Sequence, residues 1–165
     1  MSRKIAAPLA LAALTLLSAC DGDSKPSGPT TPPAPVPNLS GTYQGTNWQV
    51  QFNRTSDNYA GSWNCAGSMT IVQEPGSDKF SGFGVVNAPC RAVSFDLSGS
   101  VTSGGAVTFV TRGPASGAGP CPQPPPSTYS GLFQNNTISA RNEVKVACGE
   151  EGEYVFNQLV TARRF

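Results

Sequence analysis

The sequence predicts an all-β domain, a single antiparallel eight-stranded up-and-down barrel, set behind an export signal and a linker. Three observations predict it. Apolar and polar residues alternate with period two from Leu39 onward, cleanly in Val93-Ser94-Phe95-Asp96-Leu97-Ser98 and again from Ile138 to Val146. No stretch of this region offers a capped apolar helical face. Short runs rich in turn residues separate the strand-like segments, with one long exception.

The first element is Met1-Ser2-Arg3-Lys4, a positive start, followed by an apolar run from Ile5 to Leu17. Spanning a bilayer takes about 20 apolar residues. This shorter run, ending in small residues, is a secretory signal over residues 1–19. Its end, Leu17-Ser18-Ala19-Cys20, resembles the lipobox of bacterial lipoproteins. The resemblance implies that the signal is cut before Cys20 and that Cys20 carries the acyl chains, palmitate among them. An ordinary signal with a chance cysteine is the alternative. Asp21 resembles the inner-membrane retention signal of enterobacterial lipoproteins. The expected address is therefore the cell envelope, lipid-anchored, at the periplasmic face of the inner membrane or at the outer membrane and cell surface. Two or three acyl chains hold where one binds only marginally.

Residues 21–38 hold six prolines among Ser, Thr, Gly and Lys and have nothing with which to build a core. Such a segment is an extended spacer, reaching about 56 Å at about 3.1 Å per residue. The expected folded domain is residues 39–165.

Within it the strands are expected at 41–53, 59–73, 79–87, 91–102, 106–112, 128–134, 137–146 and 153–163. Pro75-Gly76-Ser77-Asp78, Ser103-Gly104-Gly105 and Asn135-Asn136 supply turns. A meander with one apolar face closes most simply into a barrel, which removes its edges, and a β-sandwich is the alternative. The segments Leu39-Ser40-Gly41-Thr42-Tyr43 and Gly61-Ser62-Trp63 resemble avidin- or lipocalin-type barrels. They cover under a tenth of the domain, and the resemblance transfers no ligand residue.

With Cys20 assigned to lipid, Cys65, Cys90, Cys121 and Cys148 remain, an even number in an exported chain. A hairpin centred on Gly76–Ser77 puts Cys65 opposite Ala88, two residues from Cys90. One centred on Asn135–Asn136 puts Cys148 opposite Gln123, two residues from Cys121. The expected disulfides are Cys65–Cys90 and Cys121–Cys148. A metal site is the competing use of these cysteines, but none is in a Cys-x-x-Cys spacing.

Catalytic chemistry finds little to work with. Histidine is absent, which removes His-based triads and the usual neutral-pH proton shuttle. The eight basic and eight acidic residues of 39–165 cancel, so phosphate neutralisation gives no reason to bind nucleic acid. Asp96 alternates with Phe95 and Leu97 as a solvated strand residue. Glu150, Glu151 and Glu153 lack the alternating ligands of a calcium loop. Lys79 and Lys145 sit in turn-flanking or outward positions, so neither serves a serine nucleophile as base. No catalytic residue, metal or cofactor is expected.

The connection Gly113–Ser127 is long, with six prolines and Cys121 inside it. In an up-and-down barrel, alternate connections share an end. That long loop, 54–58, 88–90 and 147–152 therefore gather away from the lipid linker. They bring Arg54, Arg91, Arg112, Pro122 and Gln123 together as candidate binding residues at a distal rim. Trp48, Phe52, Trp63, Phe95, Phe109, Tyr154 and Phe156 should face inward and fill most of the lumen. The function expected is a non-catalytic binding module for an envelope protein, a secreted protein or a small apolar ligand. An inhibitor of secreted hydrolases and a purely structural surface lipoprotein are the alternatives.

Overall fold

The computed structural model describes residue 32 and residues 34–87, 92–113 and 126–165. The signal, Cys20, most of the linker, Cys90, Arg91, Cys121, Pro122 and Gln123 lie outside the described residues.

Eight strands run in chain order: β1 Gly41–Arg54, β2 Ala60–Gln73, β3 Lys79–Val86, β4 Val93–Val101, β5 Ala106–Arg112, β6 Ser127–Gln134, β7 Thr137–Ala147 and β8 Glu153–Arg164. Each pairs antiparallel with its successor, and β8 closes on β1. The sheet is thus a closed up-and-down barrel, not a sandwich. Closure leaves no strand edge to pair with another chain. A single 3-10 turn, Gly149–Glu151, links β7 to β8.

The registers follow from the turns. Asn135 and Asn136 both take positive φ (51° and 58°), as a two-residue hairpin turn demands, and Gln134 pairs with Thr137 across them. Across the 74–78 turn, Gly67 stands opposite Val86, the register expected from a hairpin centred on Gly76–Ser77. One feature breaks the alternation. Tyr43 and Thr46 are both fully buried although three residues apart, because the β1 ladder shifts between them. Gly45 absorbs that bulge at φ 62°.

Inward aromatics lie on glycines directly across the ladder: Phe52 on Gly61, Phe95 on Gly84 and Phe109 on Gly99. A side chain opposite each ring would leave it no room. A Cβ on Gly84 would come within 2.9 Å of Phe95 Cε1 and Cε2, and closer still to Cζ. Alternating large and small residues is how a narrow barrel packs without voids.

The end of the barrel holding the 74–78, 102–105 and 135–136 turns is sealed. Leu39 enters it fully buried, over a core of Tyr43, Met69, Ile71, Phe80, Val101, Val107 and Ile138. Val36 packs on that core too, so the chain is already held before Leu39, where the folded domain was expected to begin. Gln73, nearly buried, ties this segment down. Its Oε1 accepts from Leu39 N at 2.7 Å, while Nε2 donates to Pro37 O (3.1 Å) and Ser77 O (2.6 Å). The Tyr43 hydroxyl donates to Leu39 O at 2.8 Å. From β8, Arg164 donates to Asn38 O (2.7 Å), Ser40 O (3.1 Å) and Asn136 Oδ1 (2.6 Å).

No two described cysteines stand at disulfide distance. Cys65 and Cys148 are both buried, in different apolar clusters, and their expected partners Cys90 and Cys121 lie outside the described residues.

Candidate functional site at the far mouth

The opposite end of the barrel is built differently. Register places inward residues there in layers around the barrel. Asn142 pairs with Gln158, Gln158 with Val50, and Val50 with Trp63. The next layer outward is Val144, Phe156, Phe52 and Gly61, and beyond it lie Val146, Tyr154 and Arg54. Just below, Ala140, Val160 and Trp48 form a sealed floor, with Trp48 set edge-on to Phe95 at 5.3 Å.

Above that floor burial is uneven, with Val50, Val144, Val146 and Tyr154 buried. Asn142, Gln158, Phe52 and Phe156 are half-buried, and Trp63 is 38% exposed. A mostly filled lumen was expected, and the sealed half fits that expectation. The far half fits it in part, since those valines and Tyr154 are buried but Trp63 is exposed. Parity sends Trp63 inward, but the β2–β3 ladder ends at Gly67 opposite Val86, so no β3 residue pairs beside Trp63 and that side stays exposed.

The mouth is aromatic. The Phe52 ring lies 4.9 Å from Trp63, 5.8 Å from Tyr59 and 6.2 Å from both Tyr154 and Phe156, and Tyr154 stacks on Phe156 at 6.0 Å. Tyr59, on the 55–59 loop, is 55% exposed. Val144, Val146, Cys148 and Tyr154 form a small apolar cluster on which Phe52 and Phe156 rest. Such rings give contact area at little rotamer cost, and pair energies of about 0.5–1.5 kcal/mol hold them together.

Arg54, expected as a binding residue, is engaged within the protein. Nε and one terminal nitrogen donate to the two Asp57 oxygens at 2.8 and 2.6 Å, and the other terminal nitrogen donates to the Tyr154 hydroxyl at 3.2 Å. Its guanidinium lies over Tyr59 and Tyr154, 5.0 and 5.7 Å from the ring centres. Tyr154 in turn donates to Glu151 at 2.9 Å. The Asp57 hydrogen bond raises the Arg54 pKa, and the same bond holds the Asp57 carboxyl below its ordinary value. Burial, then the bond to Glu151, raises Tyr154. Arg54 thus holds the rim's aromatics in place. Arg112 is exposed at the end of β5, opposite Asp96.

A polar belt lies between floor and mouth, and sequence reasoning missed it. Tyr129, stacked on Phe109 at 5.0 Å, donates its hydroxyl to Gln158 Oε1, and the Trp48 indole bonds the same hydroxyl. Burial pushes the Tyr129 pKa up to about 12. Asn142 Nδ2 donates to Thr128 O at 2.5 Å, just past the last β6–β7 ladder pair, Ser130 with Arg141. Its Oδ1 is buried and accepts no hydrogen bond. The signal was available: Asn142 shares the inward parity of Ala140 and Val144, and Gln158 that of Phe156 and Val160.

On the outside of the same strands, Gln51, Asn53, Ala60, Ser62 and Asn157, with Phe52 and Gly61, line a groove of about 440 Å³. Among the described residues no three His, Cys, Asp or Glu side chains gather as a metal site would need. The architecture is consistent with a lipocalin- or avidin-like barrel. No protein-family model matches the chain, and neither a curated protein nor a solved structure does.

Proposed function

We propose that this chain is a lipid-anchored envelope protein whose barrel is a non-catalytic binding module, presenting its far mouth to a ligand. The observation that carries the reading is the contrast between the ends. The linker end is sealed by Leu39, Gln73 and Arg164, while the far end keeps aromatic and polar inward faces in reach of solvent. A core built for stability alone has no reason to leave Trp63 and Tyr59 so exposed above a buried unpaired oxygen. Ligand sites are typically apolar concavities with a few convergent polar groups.

The anchor rests on Leu17-Ser18-Ala19-Cys20 and the proline-rich spacer after it. Cys20→Ala should abolish fatty-acid labelling and cleavage before residue 20, and labelling at wild-type level would remove the anchor from the proposal. Two disulfides, Cys65–Cys90 and Cys121–Cys148, complete it. The observed β2–β3 and β6–β7 registers support them. Non-reducing peptide mapping checks the pairing, and a Cys65–Cys148 peptide would overturn it. Capture from envelope extract with the full lipidated chain tests the module itself. A small molecule carried in the barrel supports binding. A stoichiometric hydrolase points to inhibition instead, and no retained partner or ligand points to a structural lipoprotein.

A further inference from the structure

We infer that the outer wall built by β8, β1 and β2 is a binding site for a neutral polysaccharide, held in the groove that Gln51, Asn53, Ser62 and Asn157 line. Charge is missing from this wall. Neither Gly41–Asn53 nor Ala60–Gln73 contains an Asp, Glu, Lys or Arg, and β8 has none between Tyr154 and Ala162. The outward positions carry amides instead: Asn47, Gln49, Gln51 and Asn53 on β1, Asn64 on β2 and Asn157 on β8. All are exposed except Asn47, which is half-buried. Strands are poor in Asn, and a wall that needs only solubility can use charge. The neighbouring strand β7 does so, with Arg141, Glu143 and Lys145 exposed beside Leu159, Asn157 and Val155. Gln73, Asn142 and Gln158 spend their amides on contacts within the chain, whereas these six keep theirs for solvent or a partner. Both connections adjoining the groove, 55–59 and 148–152, are among the described residues.

The chemistry of the wall narrows its occupant. An acidic or basic partner would find no counter-charge there. An apolar one would cover the amides without pairing them, which is costly. An amide presents donors and an acceptor side by side, and a sugar hydroxyl both donates and accepts, so each satisfies the other. The spacing suits a chain of sugars. Asn157, Gln51 and Ser62 form one row across three strands, and Gln49 and Asn64 pair in the next row of the same face. Neighbouring strands lie about 4.8 Å apart, close to the length of one sugar ring, so successive members of a row meet successive sugars. The groove, about 440 Å³, has the size of a small-ligand site but lies on the open wall, where a polymer can cross it. This site is outside the barrel and does not depend on the mouth.

The test is affinity electrophoresis of the full chain carrying Cys20→Ser, which removes the acylation site. Gels hold galactomannan, mixed-linkage β-glucan or dextran, with the polyanion alginate as the charged comparison. At least one neutral polysaccharide should retard the chain, alginate should not, and the retardation should persist to about 0.5 M salt, where charge pairing is screened. Gln51→Ala with Asn157→Ala should weaken that binding about tenfold, the size of two ordinary hydrogen bonds. Both side chains are exposed, so thermal melts of the double variant should match wild type. Ser98→Ala with Thr108→Ala, exposed on β4 and β5, should leave binding unchanged. In NMR spectra the side-chain amide signals of Gln51, Asn53 and Asn157 should move on adding the retained polysaccharide. No retardation by any of the three, retardation that the Gln51 and Asn157 changes leave intact, or equal retardation by alginate overturns the proposal. So does a dimer, seen by sedimentation, that those two changes dissociate, because the face would then belong to a second copy. A ligand recovered from envelope extract that survives the same two changes would keep the mouth reading standing while this one fails.

Discussion

Gly84→Ala is a single methyl group whose cost follows from the packing of one ring. Gly84 is buried on β3, opposite Phe95 on β4, and its φ is not positive, so alanine meets no backbone strain. The new Cβ would press into the Phe95 ring edge, within 2.9 Å of Cε1 and Cε2. That ring cannot simply retreat, because Trp48 stands edge-on to it at 5.3 Å and both are buried. Overpacking of this kind costs about 1–3 kcal/mol, and a disturbed aromatic pair adds about 0.5–1.5 kcal/mol. Against this, alanine recovers about 0.4–1 kcal/mol by restricting the unfolded chain. The net is a loss of about 2 kcal/mol. Unfolding entropy near 2.1 cal/mol/K per residue, over about 130 residues, converts this to a fall of about 7 °C in Tm. Gly104→Ala is the matched control, since its nearest neighbour is Thr102 Oγ1 at 3.8 Å, and it should melt at or slightly above wild type. Adding Phe95→Leu to Gly84→Ala should cost less than the sum of the two, because the ring tip is gone. If Gly84→Ala melts with wild type in calorimetry, the ring-on-glycine account of this core is refuted.

Other expectations concern charge and closure. Tyr129, raised to about 12 by burial, favours the fold as a neutral phenol. Its contribution of about 2–3 kcal/mol should hold below pH 10 and drain away between pH 10 and 12, in step with a late phenolate absorbance. Tyr43, also raised to about 12 by burial, should lose its contribution in the same window. Asp57, lowered by its bond to Arg54, should stabilise the rim at neutral pH and lose that effect as pH falls through its depressed pKa. Carboxyl carbon shifts read by NMR should show this, and Arg54→Gln should return Asp57 toward its ordinary value. Gln73→Met keeps the volume but strands Leu39 N, Pro37 O and Ser77 O, so stability should drop by about 2–4 kcal/mol, with hydrogen exchange quickened at Leu39. Unchanged exchange there would mean that Gln73 does not hold the entering chain.

The barrel was legible because its signals are local. Parity in β4 and β7, and turn residues at Gly76–Ser77 and Asn135–Asn136, fix both strand limits and registers, and the observed ladders carry those registers. What parity cannot supply is where a neighbouring strand ends, and so Trp63 reads the same as Trp48 although the β3 ladder stops short of Trp63 and leaves it exposed. The bulge at Gly45 looks like any turn glycine until both β1 neighbours are in place. Val36 was hidden by the prolines around it. Arg54 read as a free rim cation because its partner Asp57 reaches it only through the fold of the 55–59 loop. Asn142 and Gln158 were different. Their inward parity was visible, and polar residues on an apolar face are the one departure from pattern that a sequence displays openly.

That departure separates the two ends of the barrel. A closed meander with ring-on-glycine packing could be filled along its whole length by continuing the pattern of Phe95 on Gly84 and Phe109 on Gly99. Instead the pattern is interrupted one layer above Trp48, where β7 and β8 place amides inward at Asn142 and Gln158, and it resumes with Phe52 on Gly61. Replacing such groups by apolar ones would remove the cost of an unpaired oxygen, which is about 1–3 kcal/mol in a marginally stable domain. The sealed end has no equivalent concession, since Gln73 spends both faces of its amide on closing contacts. Under the proposed binding function, the sealed end supplies stability, and the far end, where Trp63 and Tyr59 are exposed, is where binding would take place.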